Sequence, residues 1–252
     1  MLVAERYEKI VQLVNDRGSI RVTELSELCQ VTEETIRRDL DRLEEAGKLL
    51  RSHGGAIRIR DQQPEVPYFE REVTNADEKK RIAREAVKLI EPGDRIVLDA
   101  SSTAWYMASL VPDIPLTVLT NSIKVAMELS GKEKIEVIST GGILAQRSLS
   151  FVGPLAERAL EAYHVDKVFL SCKGIHLEWG ISESNELQAR VKQKMTGSAD
   201  KLILLADSSK FGVKAFTHVA DLHAASAVIT DKLADRETVE QLKRLSIAVT
   251  TV

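Results

Sequence analysis

Cysteine is nearly missing from this 252-residue chain: Cys29 and Cys172 stand far apart, each inside an apolar segment. Two such cysteines build no disulfide framework and no credible zinc site, and they fit a reducing compartment. The five histidines (53, 164, 176, 218 and 223) show no H-E-x-x-H spacing. Also missing are a G-x-S-x-G elbow, a Walker A loop and a G-x-G-x-x-G turn, so nothing points to the chemistries those motifs carry. No apolar run approaches the roughly 20 residues that span a bilayer. Charged residues from Glu5 to Arg17 interrupt the start of the chain, so no signal-peptide core is expected. An excess of positive charge is lacking too: the formal net charge is −3, and no global field advertises nucleic acid. What is present, 44% hydrophobic and 29% charged residues, is the composition of a soluble globular protein, with the cytoplasm as its expected location.

The chain changes character near residue 60. Tyr7, Ile10, Val11 and Val14 repeat at helical spacing, and Asp16-Arg17-Gly18 ends that helix. Leu25, Leu28 and Cys29 mark a short second helix, with Thr23 as its expected N-cap. A third follows after Gln30-Val31-Thr32, with Ile36, Leu40 and Leu43 on its inner face. "GKLLRSHGGAIRIR" then reads as two short strands joined by a Gly-Gly turn. Helix, helix, turn, helix and hairpin within 60 residues is the order of a winged helix-turn-helix. Residues 61–76 hold two prolines and no clear period, and read as a linker. From 77 to 252, "RIVLDA", "LTVLTN", "IEVIST", "KVFLSC", "KLILLAD", "SAVIT" and "IAVTTV" alternate with helical stretches such as 154–163 and 185–199. That alternation predicts an α/β domain with a largely parallel sheet covered by helices.

The third helix carries Arg37 and Arg38 amid acidic residues. Stepping 100° per residue from Ile36 leaves Glu34, Arg38 and Asp41 pointing away from the core, with Thr35 and Arg42 on one flank and Arg37 on the other. Thr32 is the expected cap, and Glu33 and Glu34 suit the positive end of the helix dipole. On an isolated charged helix the two arginines would simply pair with Glu33, Glu34, Asp41 or Glu45. Here a hairpin with Lys48, Arg51, Arg58 and Arg60 follows, and no acidic residue occurs from Ala46 to Arg60. Such cations suit phosphate contact, while arginines near the start of a helix in the major groove meet base edges or phosphates. "VTEETIRRDLDRLEEAGKLLRSHGGA" resembles the signature of DeoR-type bacterial transcriptional regulators. The resemblance implies operator contacts by Thr35, Arg37 and Arg38, with His53 and Gly54 in the wing.

In the second module polar clusters follow the predicted strands: Asp99 to Thr103, Thr120 to Ser122, Thr140 to Gly142, Ser171 to Gly174 and Asp207 to Lys210. In an open α/β sheet all five would converge on the crevice outside the C-terminal strand ends. Ser101, Ser102 and Thr103 lead into a helix, where hydroxyls and free amides would face an anion. Lys173 and Lys210 offer point charges for phosphate, and Asp99, Asn121 and Asp207 suit sugar hydroxyls. Each element has a plainer explanation: Ser and Thr after a strand are commonly caps, and Gly141-Gly142 is commonly a turn. Their joint occurrence suits a small phosphorylated polyol or sugar, with Gly141, Gly142 and Gly174 in the cradle. Trp105 and His176 flank the clusters, either shaping the pocket or packing at its rim. An isomerase is the alternative, with Asp99, Asp207 or Glu183 as acid/base candidates, but spacing assigns no complementary pair.

"IVLDASSTAWYMA", "TVLTNSIKVAMEL", "GGILAQRSLSFVGPLAERAL", "VDKVFLSCKGI" and "LLADSSKFG" resemble the sensor domain of the same regulators, so the likeness runs over roughly residues 5–231. It departs at Ser102, where the family loop commonly has threonine, though the hydroxyl is kept. The resemblance implies a ribose-5-phosphate-isomerase-like fold that binds a sugar phosphate as inducer, with no cofactor. The expected protein is therefore a repressor of a carbohydrate-catabolic operon. It would bind double-stranded operator DNA as a homo-oligomer, dimer or tetramer, with no membrane partner, and leave it when the effector binds.

Overall fold

The computed structural model describes residues 3–17, 19–46, 48–52, 54–57 and 65–252, and the chain divides into two compact units, Met1–Gln62 and Gln63–Val252. The first contains α1 (Val3–Arg17), β1 (Ser19–Arg21), α2 (Val22–Cys29), α3 (Glu33–Glu45), β2 (Leu50–Ser52) and β3 (Gly55–Ile57). Its core joins Ile10 and Val14 of α1, Leu25 and Cys29 of α2, and Ile36, Leu40 and Leu43 of α3, the faces that periodicity indicates. Thr32 caps α3 by accepting from the Thr35 amide at 3.3 Å. Thr23 does not cap α2, which starts one residue earlier after Arg21 and without a side-chain cap. The hairpin β2–β3 forms as expected, but β1 adds a third antiparallel strand on the far side of β3. Gly55 is needed there, because a Cβ would lie 2.2 Å from the Ile20 carbonyl oxygen.

Asp39 faces inward on α3, three residues after Ile36, and is buried. Arg6 of α1 meets it with two bonds, Nε to Oδ2 at 2.6 Å and Nη2 to Oδ1 at 3.3 Å. The carboxylate holds the guanidinium above its ordinary pKa despite the opposing effect of burial. An ion pair so enclosed fixes how α1 lies on the helix that carries Arg37 and Arg38.

The second unit runs α4 (Tyr68–Val73), α5 (Ala76–Val87), β4 (Arg95–Leu98), α6 (Ser102–Leu110), β5 (Leu116–Thr120), α7 (Ile123–Leu129), β6 (Ile135–Ser139), β7 (Ile143–Ala145), β8 (Ser150–Val152), α8 (Pro154–Glu161), β9 (Val165–Leu170), β10 (Gly174–His176), β11 (Gly180–Glu183), α9 (Glu186–Gly197), β12 (Ala199–Leu205), β13 (Thr217–Ala220), β14 (Ala227–Thr230), α10 (Arg236–Arg244) and β15 (Ala248–Thr251). The seven runs read as strands form one parallel sheet in the order β15-β14-β12-β9-β4-β5-β6. Alternate residues feed two cores, as a sheet buried on both faces requires. Val97, Leu119, Val168, Leu202, Leu204 and Val228 enter one; Ile96, Leu98, Val118, Phe169, Ile203 and Ile229 enter the other. The hairpin β7–β8 and the small sheet β10-β11-β13 are additions that strands of three or four residues do not announce in sequence.

The stretch 61–76, read as a linker, differs from that expectation over most of its described part. Tyr68 is buried at the start of α4, its amide donates to the Arg147 carbonyl at 2.6 Å, and α4 belongs to the second unit. Six residues are too few to show a period, and the packing that fixes them comes from the distant β7–β8 connection. Among the described residues no helix is long and apolar enough to cross a membrane. Asp39→Ala leaves the Arg6 charge buried without its partner, and should cost the first unit about 3–5 kcal/mol in urea unfolding of the full chain. The double change Arg6→Met with Asp39→Leu, which removes both charges, should recover most of that loss.

Candidate ligand pocket and recognition surface

Strand order places the sheet's reversal between β4 and β9: from β4 the chain proceeds outward to β5 and β6, and from β9 to β12, β14 and β15. Ligands of open parallel sheets bind at such a point, outside the carboxyl ends of the strands. A cavity of about 210 Å³ lies there, between the loops that follow β4, β9 and β12. Of the sequence candidates it is lined by Ser101, Ser102, Thr103, Lys173, Asp207 and Lys210, and by Glu183, the acid/base candidate of the alternative.

The remaining candidates sit elsewhere, each for a local reason. Asp99 lies beneath the cavity, fully buried, accepting from the Ser101 amide and hydroxyl and from the Ser171 amide. The loops after β5 and β6 do not reach the cavity, so three of the five polar clusters converge rather than all five. Asn121 donates to the Phe151 carbonyl, Thr120 to the Leu98 carbonyl, and Ser122 caps α7. Gly141 and Gly142 form a turn at positive φ, and a Cβ on Gly142 would strike the Val152 carbonyl. Gly174 begins β10 beneath the Val213 carbonyl, 2.3 Å from where a Cβ would stand. Trp105 donates its indole N–H to Glu128, and His176 accepts from the Glu178 amide; neither lines the cavity.

The cavity also recruits residues that the sequence did not single out. Arg71, Asn75, Lys79 and Lys192 line it from α4, α5 and α9. Lys192 is buried with its ammonium 3.2 Å from Asp99, 2.5 Å from Glu183 and 2.6 Å from the Ser171 carbonyl. Burial pulls its pKa down, but Glu183 and Asp99 outweigh that and hold it above the ordinary lysine value. Lys79 donates to the Arg71 and Thr74 carbonyls, and burial lowers its pKa to about 8. Asn75, in the left-handed region at φ 52°, donates to Asp207 at 3.0 Å. Burial pushes the Asp207 carboxyl up, yet Lys210, Ser209 and Asn75 together hold it below the usual carboxylate range. Arg71 is the exception to this pairing: its Nε and Nη2 are buried with no hydrogen-bond partner. Burial lifts the Cys172 thiol to about 12, so it is no nucleophile. A signal for two of these residues did exist. Lys79 falls on the stripe of Ile82, Ala83 and Ala86, and Lys192 on that of Ala189 and Met195, where a lysine is out of place.

The arrangement suits a small anion bearing hydroxyls. Ser101, Ser102 and Thr103, at the start of α6, line the cavity, and a helix start offers amides without intrahelical acceptors, that of Ala104 being taken by the Ser101 hydroxyl. Lys79, Lys173, Lys210 and Arg71 supply positive charge around it. The carboxylates Asp99, Glu183 and Asp207 are each committed to a lysine or a hydrogen-bond cluster. That leaves them poorly placed as proton-transfer groups, which need a carboxylate free to change protonation state.

On α3, Arg37 and Arg38 are exposed and pair along the helix, Arg37 with Glu33 at 2.6 Å and Arg38 with Glu34 at 3.3 Å. Exposed pairs of this kind contribute little and exchange readily for phosphate. Thr35 is half-buried beside the cap, its hydroxyl 2.9 Å from that of Thr32. Arg42 donates to the Tyr7 hydroxyl, and Arg51 pairs with Asp41 and reaches the Arg37 carbonyl. Gly54 forms the exposed hairpin turn at φ 86°. His53, Arg58 and Arg60 lie outside the described residues.

The family described as the DeoR-like helix-turn-helix domain matches residues 6–62, and that described as the DeoR C terminal sensor domain matches residues 74–232. The chain is 58% identical over 252 residues to the HTH-type transcriptional regulator YulB of Bacillus subtilis (strain 168), covering 100% of this chain and 98% of that one. It is 40% identical over 227 residues to the L-fucose operon activator of Haemophilus influenzae, covering 90% and 91% respectively. Among solved structures, ribose 5-phosphate isomerase A from Methanocaldococcus jannaschii aligns with a TM-score of 0.41 and 20% identity over 55% of each chain. With a helix-turn-helix at one end, a sensor domain at the other and relatives of this identity along its whole length, the chain belongs to the DeoR family of DNA-binding transcriptional regulators.

Proposed function

We propose that this regulator is a cytoplasmic repressor of a carbohydrate-catabolic operon and leaves its operator when a phosphorylated sugar binds the second unit. The observation that carries the reading is the cavity at the sheet's reversal, where helix amides, hydroxyls and four flanking cations meet. A phosphate suits the α6 end and the lysines, and sugar hydroxyls suit Asn75, Asp207 and the serines. Repression is the simpler sign, since an oligomer bound across a promoter excludes polymerase without a dedicated contact surface. The effector acts only if it binds the DNA-free state more tightly than the DNA-bound one. Two reading heads in a homo-oligomer supply the affinity that one small head lacks.

A shift assay on the chain's own promoter fragment, titrated with a panel of phosphosugars and the matching free sugars, tests both halves together. One phosphosugar should abolish the shift while its free sugar leaves it intact; turnover of that compound without DNA would instead support the isomerase alternative. Arg37→Ala and Arg38→Ala should each weaken operator binding by about 1–3 kcal/mol, without changing the affinity for the phosphosugar. Unchanged operator binding at physiological salt would remove α3 as the reading element.

The pH dependence of ligand binding follows from Lys79. Its folded pKa, about 8, lies below the ordinary lysine value, so its charge is present below pH 8 and fades above it. A phosphomonoester gains its second charge near pH 6. Calorimetry should therefore find affinity rising through about pH 6 and falling again above about pH 8. Lys79→Arg should remove the upper limb, because arginine keeps its charge.

A further inference from the structure

One carboxylate of the cavity stands apart from the others. Asp99 and Glu183 share Lys192, and Asp207 is held by Asn75 and Ser209. Glu65 lines the same cavity, half-buried; it accepts a hydrogen bond from the Ser148 hydroxyl, and among the described residues it forms no ion pair. The largest charge acting on it is that of Arg71, whose Nε and Nη2 have no hydrogen-bond partner. Burial pushes the Glu65 carboxyl above its usual range, so it occupies this place at a cost.

Its place in the chain gives the contact a consequence. Glu65 and Val66 line the cavity only a few residues after Gln62, the last residue of the DNA-reading unit. The strap they form is anchored at Tyr68, through the amide bond to Arg147 and the buried ring, over which Arg71 and Lys124 lie at 5.6 Å. Everything on the N-terminal side of that anchor leads to the reading head.

The charges also select what could move the strap. Arg71, Lys79, Lys173, Lys192 and Lys210 face Glu65, Glu183, Asp207 and the underlying Asp99, an excess of one positive charge. Withdrawing Glu65 raises the excess to two. A phosphomonoester carries about −1.5 to −2 at neutral pH, so it is matched only once Glu65 has left, whereas a monoanion is matched with Glu65 in place. We infer that Glu65 is a tethered competitor for the cavity's cations, and that a phosphomonoester dianion displaces it and thereby frees the strap that leads to the DNA-reading unit. The inference rests on the pocket reading proposed above and adds how occupancy is passed to the chain.

Inorganic phosphate is the probe, titrated at pH 7.5 into the full chain and into Glu65→Gln and Glu65→Ala by calorimetry. Amide exchange of the peptide spanning Glu65 to Val73 is followed alongside. Both variants should bind phosphate at least about fivefold more tightly than the parent, the lower end of couplings between linked sites. Saturating phosphate should speed exchange at the Tyr68 amide in the parent, and both variants should exchange there faster without phosphate. Phosphate binding by the parent that neither variant strengthens overturns the competitor and leaves the pocket reading standing. Tighter binding with no change in exchange overturns the transmission to the strap. Failure of all three proteins to bind phosphate overturns both readings. Two substitutions of different shape guard against loss of one variant through misfolding, which thermal melting detects.

Discussion

The ligand-binding end of this protein depends on a single buried ammonium. Lys192 reaches from α9 to the carboxylate behind β4, the carbonyl that ends β9 and the carboxylate that ends β11. The two carboxylates offset the cost of burying the ammonium between them. With the three held together, Asp99 is free to fix the loop below the cavity through the amides of Ser101 and Ser171. The start of α6 is thereby positioned beside the cavity, above a structural charge that is satisfied beneath it.

The carboxylates of the cavity are held in place by their partners. Here the carboxylates near the sheet are locked by lysine or by several donors, and the thiol beside them is neutral. Arg71 keeps Nε and Nη2 buried without a hydrogen-bond partner, and Glu65, on the connecting strap, is in no ion pair among the described residues. In the first unit the logic is parallel: Arg6 and Asp39 are buried and fixed, while Arg37 and Arg38 are exposed and only loosely paired, available to a polyanion.

Much of this was legible in the residues. The inner face of α3 follows from the spacing of Ile36, Leu40 and Leu43, and all seven strands of the large sheet appear as short β-branched runs. Both are local, periodic signals, and the packed structure reinforces them. Asp39 is legible in the same way, since its position three residues after Ile36 puts it on the inner face. The polar loops after strands were also visible, yet their spacing says nothing of which strands are neighbours. Asn121, Gly141 and Gly142 follow β5 and β6, which lie on the far side of β4 from β9; Asn121 ties to the Phe151 carbonyl of β8 and the two glycines form a turn instead.

By itself, then, the sequence determined the reading helix, the two-module order, the family and the chemistry of the loops, because helical and strand periods, caps and a specific signature are written within a few residues of one another. Only the tertiary structure decided which loops meet. Strand order selected three of five, and long-range packing delivered Arg71 from α4, Asn75 from the cap of α5, and Lys79 and Lys192 from the buried stripes of α5 and α9. It also moved Tyr68 out of an apparent linker into a buried position, and Glu65 onto the pocket. Those outcomes depend on contacts between distant segments, 132 residues apart for Asn75 and Asp207, and no local pattern encodes which segments meet.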